Sequence, residues 1–372
     1  MIDLSIIVPV YNVEDYVRPC IESIFKQGLD DANFEVIIVN DGSTDRSMEM
    51  IADIIQAHSN IIVINQENLS LSVARNNGIA VAKGEYILMP DSDDLLIENS
   101  LSFLLEKALE TKADIIVADF LVMNDEEIEK RSTIEHRVFE STEKTGVRLF
   151  LEDLDPYQCY VWRSLFKREF LNKNQIRFVP GLRFQDVPFT HECYLRAGKC
   201  IRTHWLLNIY RRGHESATYS FNKQKAKEFC IVIAKTWELT HLNDLSDAEL
   251  RKLKEDVYTS FFLMMYSTLH SIKSWPDQLE IIHYLNRQAP TLRFTNNIKQ
   301  KFESFMFSSM PRCYLALRRL QWKWINAKKQ LRILTKEAMP QGHNNIFIIT
   351  LGCCYGFLSN SLTYTGIVHQ VA

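Results

Sequence analysis

LSIIVPVYN, residues 4–12, decides the fold class. Leu4 to Val10 is an unbroken apolar run rich in β-branched residues and ended by Tyr11-Asn12. Such a run, without polar alternation, reads as a parallel strand buried on both faces. Working outward, FEVIIVN (34–40), NIIVINQ (60–66), EYILMP (85–90) and ADIIVADFLVM (113–123) read as further strands. Between them, residues 13–26, 43–57, 72–83 and 95–111 read as helices. Strands alternating with helices of this length imply βαβ units, hence an α/β fold with a mostly parallel central sheet flanked by helices. Ligands on such sheets bind outside the carboxyl ends of the strands.

Two acidic clusters are placed at those ends. NDGSTD (40–45) follows the second strand and DSDD (91–94) the fourth. Carboxylates at i and i+2 after a strand point the same way, so Asp91 and Asp93 can share one hard cation, with Asp94 expected to point elsewhere. Asp and Ser are also good turn and N-cap residues, and DSDD alone reads equally well as a turn. Two such clusters on one sheet shift the balance, because carboxylates at this density are costly without a cation.

The chain has 372 residues, room for one large domain with an appendage or for two domains. Its 46% hydrophobic and 24% charged residues exclude global disorder. Eight cysteines without a CxxC pair read neither as a disulfide framework nor as a zinc site, and point to a reducing compartment. No basic segment precedes the first apolar run, which reads against a secretory signal, and no run reaches the roughly 18 apolar residues of a spanning helix. The net charge of -3 conceals a polarised molecule: residues 1–100 hold 17 acidic and 5 basic side chains, and the remainder carries a basic excess. An acidic front suits a metal or sugar-hydroxyl site better than a nucleic-acid surface, while the basic remainder can face phosphates or an anionic membrane.

SIIVPVYN (5–12), VNDGSTD (39–45), ARNNGI (74–79), GEYILMPDSDD (84–94) and RFQDVPF (183–189), in this order and spacing, resemble the family 2 inverting glycosyltransferases of GT-A fold, of the bacterial surface-polysaccharide type. The resemblance covers about the first 215 residues. It implies that Asp41 accepts from the nucleotide base, usually uracil, and that Pro9, Tyr11, Asn12, Arg75, Asp91 and Ser92 line the nucleotide-sugar site, with Asp91 nearer the ribose. It further implies that Asp93 binds Mn2+ or Mg2+ and that Asp186 is the general base. Without the resemblance, Asp41 is a turn residue, Arg75 a salt-bridge partner and Asp186 an N-cap.

YVWRSLFKREFL (160–171) resembles the family's Trp-containing segment, so that Trp162 is either a sugar-stacking platform or core. YRRGHES (210–216) resembles the segment that closes over the diphosphate, which makes Arg211, Arg212 and His214 phosphate contacts, or else a solvated basic turn. Two departures stand out. NLSLSVARN (68–76) replaces the usual NxGxSxARN, with Leu69 and Ser70 where small flexible residues are expected, and Gln185-Asp186 replaces a Glu-Asp pair.

Inverting transfer is one in-line displacement at the anomeric carbon, in which the acceptor hydroxyl loses a proton as a nucleoside diphosphate departs. It needs an ion and a base rather than a covalent nucleophile. The implied partners are a nucleotide-sugar donor, a UDP-sugar above all, and a saccharide or lipid-linked oligosaccharide acceptor, without nucleic acid. Single-sugar addition in capsule, exopolysaccharide or O-antigen assembly is expected, since QxxRW is absent. The alternatives are a degenerate nucleotide- or glycan-binding module, suggested by Leu69, Ser70 and Gln185, and a phosphotransferase of the haloacid dehalogenase type. The latter is disfavoured because Leu95 stands where Thr or Val is needed.

The expected organisation is a transferase domain over 1–215, split into a nucleotide-sugar half (1–123) and an acceptor half (124–215), and a mainly helical region over 216–372. Between Lys299 and Lys336 there are ten basic residues and one acidic, Glu303. Leu317, Leu320, Trp324, Ala327, Leu331 and Leu334 recur at a/d spacing with the basic residues outside their arc. This basic amphipathic segment, 312–336, reads as a helix on an anionic membrane surface, or as one packed on its own domain with a wet basic face. IFIITLGCCYGFL (346–358) is too short to span a bilayer, and Cys353-Cys354 within it reads as buried thiols sooner than as a lipidation site. The expected location is cytoplasmic, peripheral on the inner face of the cell membrane.

Overall fold

The computed structural model describes residues 2–131, 140–156, 158–213 and 221–337. LSIIVPV forms β1 (Leu4–Val10), buried along its whole length. Next come α1 (Val17–Ile24), β2 (Phe34–Asn40), α2 (Ala52–Ala57), β3 (Ile61–Asn65), α3 (Leu71–Val81) and β4 (Tyr86–Leu88). The middle of the chain supplies β5 (Leu95–Leu96), α4 (Ser100–Thr111), β6 (Ile115–Asn124), α5 (Asp125–Glu129), β7 (Ser141–Lys144), α6 (Gly146–Glu152), β8 (Ser164–Lys167), α7 (Arg168–Lys173), α8 (Asp186–Arg196) and β9 (Cys200–Arg212). Helices then follow without strands: α9 (Lys223–Glu238), α10 (Asp247–Ser271), α11 (Trp275–Gln288), α12 (Ile298–Ser309) and α13 (Pro311–Glu337).

The strands make one sheet in the order β3-β2-β1-β4-β8-β6-β9-β5, with β7 also on β9. β3, β2, β1 and β4 pair in parallel, as the apolar runs predict. β8 enters antiparallel between β4 and β6, and β6 pairs in parallel with β9. The sheet is therefore mixed, with most strands running one way. One apolar core fills each face of it, one beneath α1 and α4 and the other beneath α3, α6 and α8. Gly78 explains how closely α3 settles on β1: a Cβ there would stand 2.3 Å from Ile7 Cγ2.

Two expected helices begin later than their periodicity suggests, for one reason. Side chains and backbone of residues 43–47 are engaged with the segment after β1: Thr44 N donates to Asn12 Oδ1 (2.8 Å), Val13 N to Ser47 Oγ (2.8 Å) and Glu14 N to Asp45 Oδ2 (3.0 Å). Side-chain bonding to backbone competes with helix, so the two loops lock together and α1 and α2 start beyond them. The helix expected from residue 95 starts at Ser100, because Leu95 and Leu96 pair instead with Ile209 and Asn208 of β9.

The helices α9–α13 build a third core, which also takes in Leu182. They brace α8 through a buried chain: His191 Nε2 lies 3.2 Å from Asp256 Oδ2, and Lys252 Nζ bonds both Asp256 (3.0 Å) and Leu154 O (3.1 Å). The amphipathic segment is helical, as its spacing predicts. The 346–358 run lies outside the described residues. Among the described residues no helix is long and apolar enough to cross a membrane.

Candidate active site

The carboxyl ends of β1, β2 and β4 and the N-terminus of α8 bring most of the predicted residues together. Asp41, at the end of β2, is buried, and its Oδ1 accepts from Gln66 Nε2 (2.7 Å) and Leu69 N (2.8 Å) while Oδ2 accepts from Ser70 N (3.1 Å). A carboxylate offers about four lone-pair sites, so one on Oδ2 remains for a ligand N–H. Pro9 is buried in β1, Ser92 is buried beside the aspartates, and Tyr11 is exposed at the strand end. Asn12 takes a left-handed conformation (φ 50°).

Asp41 also fixes the unusual loop before α3. Ser70, at the position where the family pattern has glycine, adopts φ 102° and ψ 154°, a region essentially reserved for glycine. Leu69 and Ser70 thus hold the glycine-type backbone through the Asp41 bonds. The Ser70 and Ser72 hydroxyls accept from Gly181 N (3.1 Å) and Leu182 N (3.4 Å), which ties this loop to the one leading into α8.

The aspartates of DSDD are held from two sides. Arg75, fully buried in α3, makes an ion pair with Asp91 and lies over the Phe178 ring (5.5 Å), while its Nε has no hydrogen-bond partner among the described residues. From β9, Arg211 donates its backbone N–H to Asp94 Oδ1 (2.8 Å) and its Nε to Asp93 O (3.0 Å), and pairs with Asp125. Asp94 does not point away, as the i, i+2 argument expects. The three carboxylates have oxygens within 4.8 Å of one another, because a turn rather than continued strand follows β4 and so cancels the alternation. Burial and the neighbouring Asp93 and Asp91 drive the Asp94 carboxyl well above the usual range, and burial pushes Asp91 up to about 6 against the opposing pull of Arg75.

These residues fit a divalent cation. Among the described residues they are the one cluster of three or more possible ligands, and Asp94 Oδ2 is buried without a partner. Carboxylates crowded this closely, with those of Asp91 and Asp94 pushed up in pKa, are relieved by a hard cation.

Asp186 opens α8, partly buried, with its carboxyl pushed up to about 6 by burial; Arg75 pulls it down and Asp91 pushes it up. Arg75, Asp91 and Asp186 therefore act on one another electrostatically across the site. Gln185 precedes Asp186, is buried, and its Oε1 has no hydrogen-bond partner among the described residues.

Trp162 is buried, and of its two readings the structure carries the core one. Its ring stacks with Tyr160 (4.8 Å between centroids) and Tyr210 (5.6 Å) and meets Phe120 edge-on. Tyr160 and Tyr210 are partly exposed, and burial, with Tyr210 and Asp186 close by, pushes the Tyr160 hydroxyl up to about 12. The sequence named neither tyrosine as a site residue, although each is the first residue of a segment singled out above. Arg211 is buried in the site, Arg212 lies exposed over Tyr210, and His214 is outside the described residues.

A family model described as Glycosyl transferase family 2 matches residues 5–174. The uncharacterized glycosyltransferase EpsJ of Bacillus subtilis is 35% identical over 221 residues, covering 58% of this chain and 62% of that protein. The match therefore spans less than two thirds of EpsJ. Glycosyltransferase GlyG of Streptococcus pneumoniae is 32% identical over 221 residues, covering 56% of this chain and 70% of that one. Among solved structures, S. aureus TarS 1–349 in complex with UDP-GlcNAc superposes with a TM-score of 0.62 at 19% identity, covering 93% of this chain and 95% of that one.

Proposed function

Because the chain belongs to glycosyltransferase family 2 and has the GT-A fold, we propose that it moves a single sugar from a nucleotide-sugar, a UDP-sugar above all, to a saccharide hydroxyl with inversion. The observation that supports this most is the mutual influence of Arg75, Asp91 and Asp186, which puts a raised carboxyl within electrostatic reach of the DSDD cluster. In this reading Asp41 accepts the base N–H through the remaining lone pair of Oδ2, and Arg75 holds Asp91 against the ribose. Asp186 takes the proton of the acceptor hydroxyl as the new C–O bond forms and the bond to the nucleoside diphosphate breaks. A base of pKa about 6 is largely ionised at neutral pH yet basic enough to accept that proton. A Mn2+ or Mg2+ ion at Asp93, assisted by Asp91, would neutralise the departing diphosphate as a Lewis acid. Arg211 keeps Asp93 and Asp94 in place, and Arg212 and His214 are proposed diphosphate contacts. Gln185 cannot serve as a base.

The division near residue 215, with a transferase domain before it and a helical region after, belongs to the same proposal. So does a role in surface-polysaccharide assembly at the inner face of the membrane, in keeping with an acceptor carried on lipid. The test is UDP release from a panel of UDP-sugars with Mn2+ or Mg2+, with and without EDTA, and the anomeric configuration of the product read by NMR. Metal-dependent release and an inverted product are expected. No release from any nucleotide-sugar would leave a binding module instead.

A further inference from the structure

α12 and α13 turn apolar side chains outward. On α12 the buried positions are Gln300, Glu303, Ser304, Met306 and Phe307, whereas Ile298, Phe302 and Phe305 are 86%, 61% and 55% exposed. At 100° per residue these three lie opposite the buried set. On α13, Tyr314 and Leu315 are buried, while Leu317, Leu320 and Trp324 are 52%, 64% and 52% exposed, again on the opposite side. The outward row of α13 is the stripe that the sequence marks as apolar, and the row on α12 is a second one that the sequence reading did not single out.

The charges beside these rows are of one sign. Lys299 and Lys301 flank the α12 row, and Arg312 and Lys323 lie exposed on α13. A cavity of about 150 Å³ opens beside α13, lined by Leu269, Lys273, Gln278, Arg319, Trp322 and Lys323. The segment's one acidic side chain is turned inward: Glu303 accepts from Tyr258 and Tyr314 hydroxyls (2.8 Å each) and pairs with Arg318. No carboxylate is therefore available to the outer face from Lys299 to Lys336.

We propose that this two-helix face seats on an anionic lipid surface, with Ile298, Phe302, Phe305, Leu317, Leu320 and Trp324 entering the acyl boundary and the flanking lysines and arginines meeting lipid phosphates. The proposal rests on the membrane placement given above and names the surface that accomplishes it. Charge decides between the possible occupants. A second copy docking by the same face would set its cations against like cations across a two-fold axis. The chain's own residues 338–372 contain no Asp or Glu and would leave the same cations uncompensated. A bilayer with acidic headgroups over hydrocarbon matches both features.

The experiment is flotation of the full chain with phosphatidylcholine vesicles, with or without phosphatidylglycerol, at low and high salt. The wild type is expected to float with the anionic vesicles alone and to be released by salt. Phe302→Ser with Phe305→Ser and Leu320→Ser is expected to reduce binding at least about tenfold. Neutralising Lys299, Lys301, Arg312 and Lys323 to Gln is expected to weaken it by roughly fivefold per charge. UDP release with a soluble acceptor is expected to be unchanged in both variants, because none of these residues is in the site. Flotation of both variants as well as the wild type overturns the face and leaves the membrane placement standing. Absence of flotation at low salt overturns both. A wild-type oligomer in light scattering that the serine variant dissolves assigns the face to a second copy instead. In every case the UDP assay decides the transferase reading separately.

Discussion

The carboxyl edge of the front strands and the outer face of α12–α13 break the inside-outside rule in opposite senses. At the strand edge, charge is drawn inward: Arg75, Asp41 and Asp94 are buried, and three carboxylates crowd within 4.8 Å. On the two helices apolar groups are driven outward, six of them more than half exposed. Burying charge costs folding free energy, and exposing Phe and Leu side by side forfeits burial energy and invites association. Neither feature helps the fold. The contrast teaches that each surface is accounted for by its proposed contact, a charged small molecule at the first and a lipid boundary at the second.

The largest expected effect breaks the inward-charge side of the comparison. Asp186→Asn should lower kcat by about 10² to 10⁴, the usual worth of a general base, while nucleotide binding measured by calorimetry persists. The folded Asp186 carboxyl sits at about 6, above the ordinary carboxylate value near 3.9. The folded state therefore binds the proton more tightly, and the stability this contributes is complete below about pH 4 and lost as pH rises through about 6. Asn cannot ionise, so the variant's Tm at pH 7.5 should equal or exceed that of the wild type. A clear drop in Tm would make Asp186 a structural group. In the wild type, log kcat/KM should fall with unit slope below about pH 6, and a flat profile would remove this carboxylate from the proton transfer.

The two sides of α13 provide the next test. Leu315 is fully buried and Leu320 mostly exposed, five residues and about 140° of helix rotation being all that separates core from surface. Leu315→Ala should cost about 2–5 kcal/mol in urea unfolding, and Leu320→Ala less than about 0.5 kcal/mol. A large cost at Leu320 would mean that the outer row is packed in solution and would void the comparison.

How much of this was legible in the sequence follows from the same physics. The parallel strands were, because a strand buried on both faces writes itself as an unbroken apolar run, as LSIIVPV and FEVIIVN do, and these pair as read, with the half-buried edge strand NIIVINQ beside them. The late starts of α1 and α2 were not, because the Ser, Thr, Asn and Asp bonds that delay them join residues some 30 apart. β8 looks like an ordinary strand, and its antiparallel insertion between β4 and β6, with the antiparallel pairing of β5 and β7 on β9, makes the sheet mixed. Of the site, Arg75, Asp91 and Asp186 were named from the sequence, while the electrostatic influence of the first two on Asp186, across more than 90 positions, was not legible there. Asp94 was assigned the wrong direction because strand alternation was carried one turn too far. Trp162 remained open between platform and core, since stacking on Tyr160 and Tyr210 is a tertiary fact.

The smallest effect concerns the loop where the family's glycine has become Ser70. Holding φ 102° and ψ 154° costs a non-glycine residue about 1–3 kcal/mol. Against this, the Ser70 hydroxyl accepts from Gly181 N and lies 3.0 Å from Ser72 Oγ, together worth about 1–2 kcal/mol. Ser70→Gly should therefore be near neutral to stabilising by about 1 kcal/mol in urea unfolding, while Ser70→Ala, which keeps the strain and loses the hydroxyl, should destabilise by about 1 kcal/mol. The pair separates the two terms, since both lose the same bonds and only one relieves the backbone. The hydroxyl also joins the Asp41 loop to the loop that leads into Asp186, so both variants should loosen that link and change kcat more than the KM for donor. Equal stability of Gly and Ala at position 70 would show that the backbone is not strained and that the serine simply adopts a shape this loop favours.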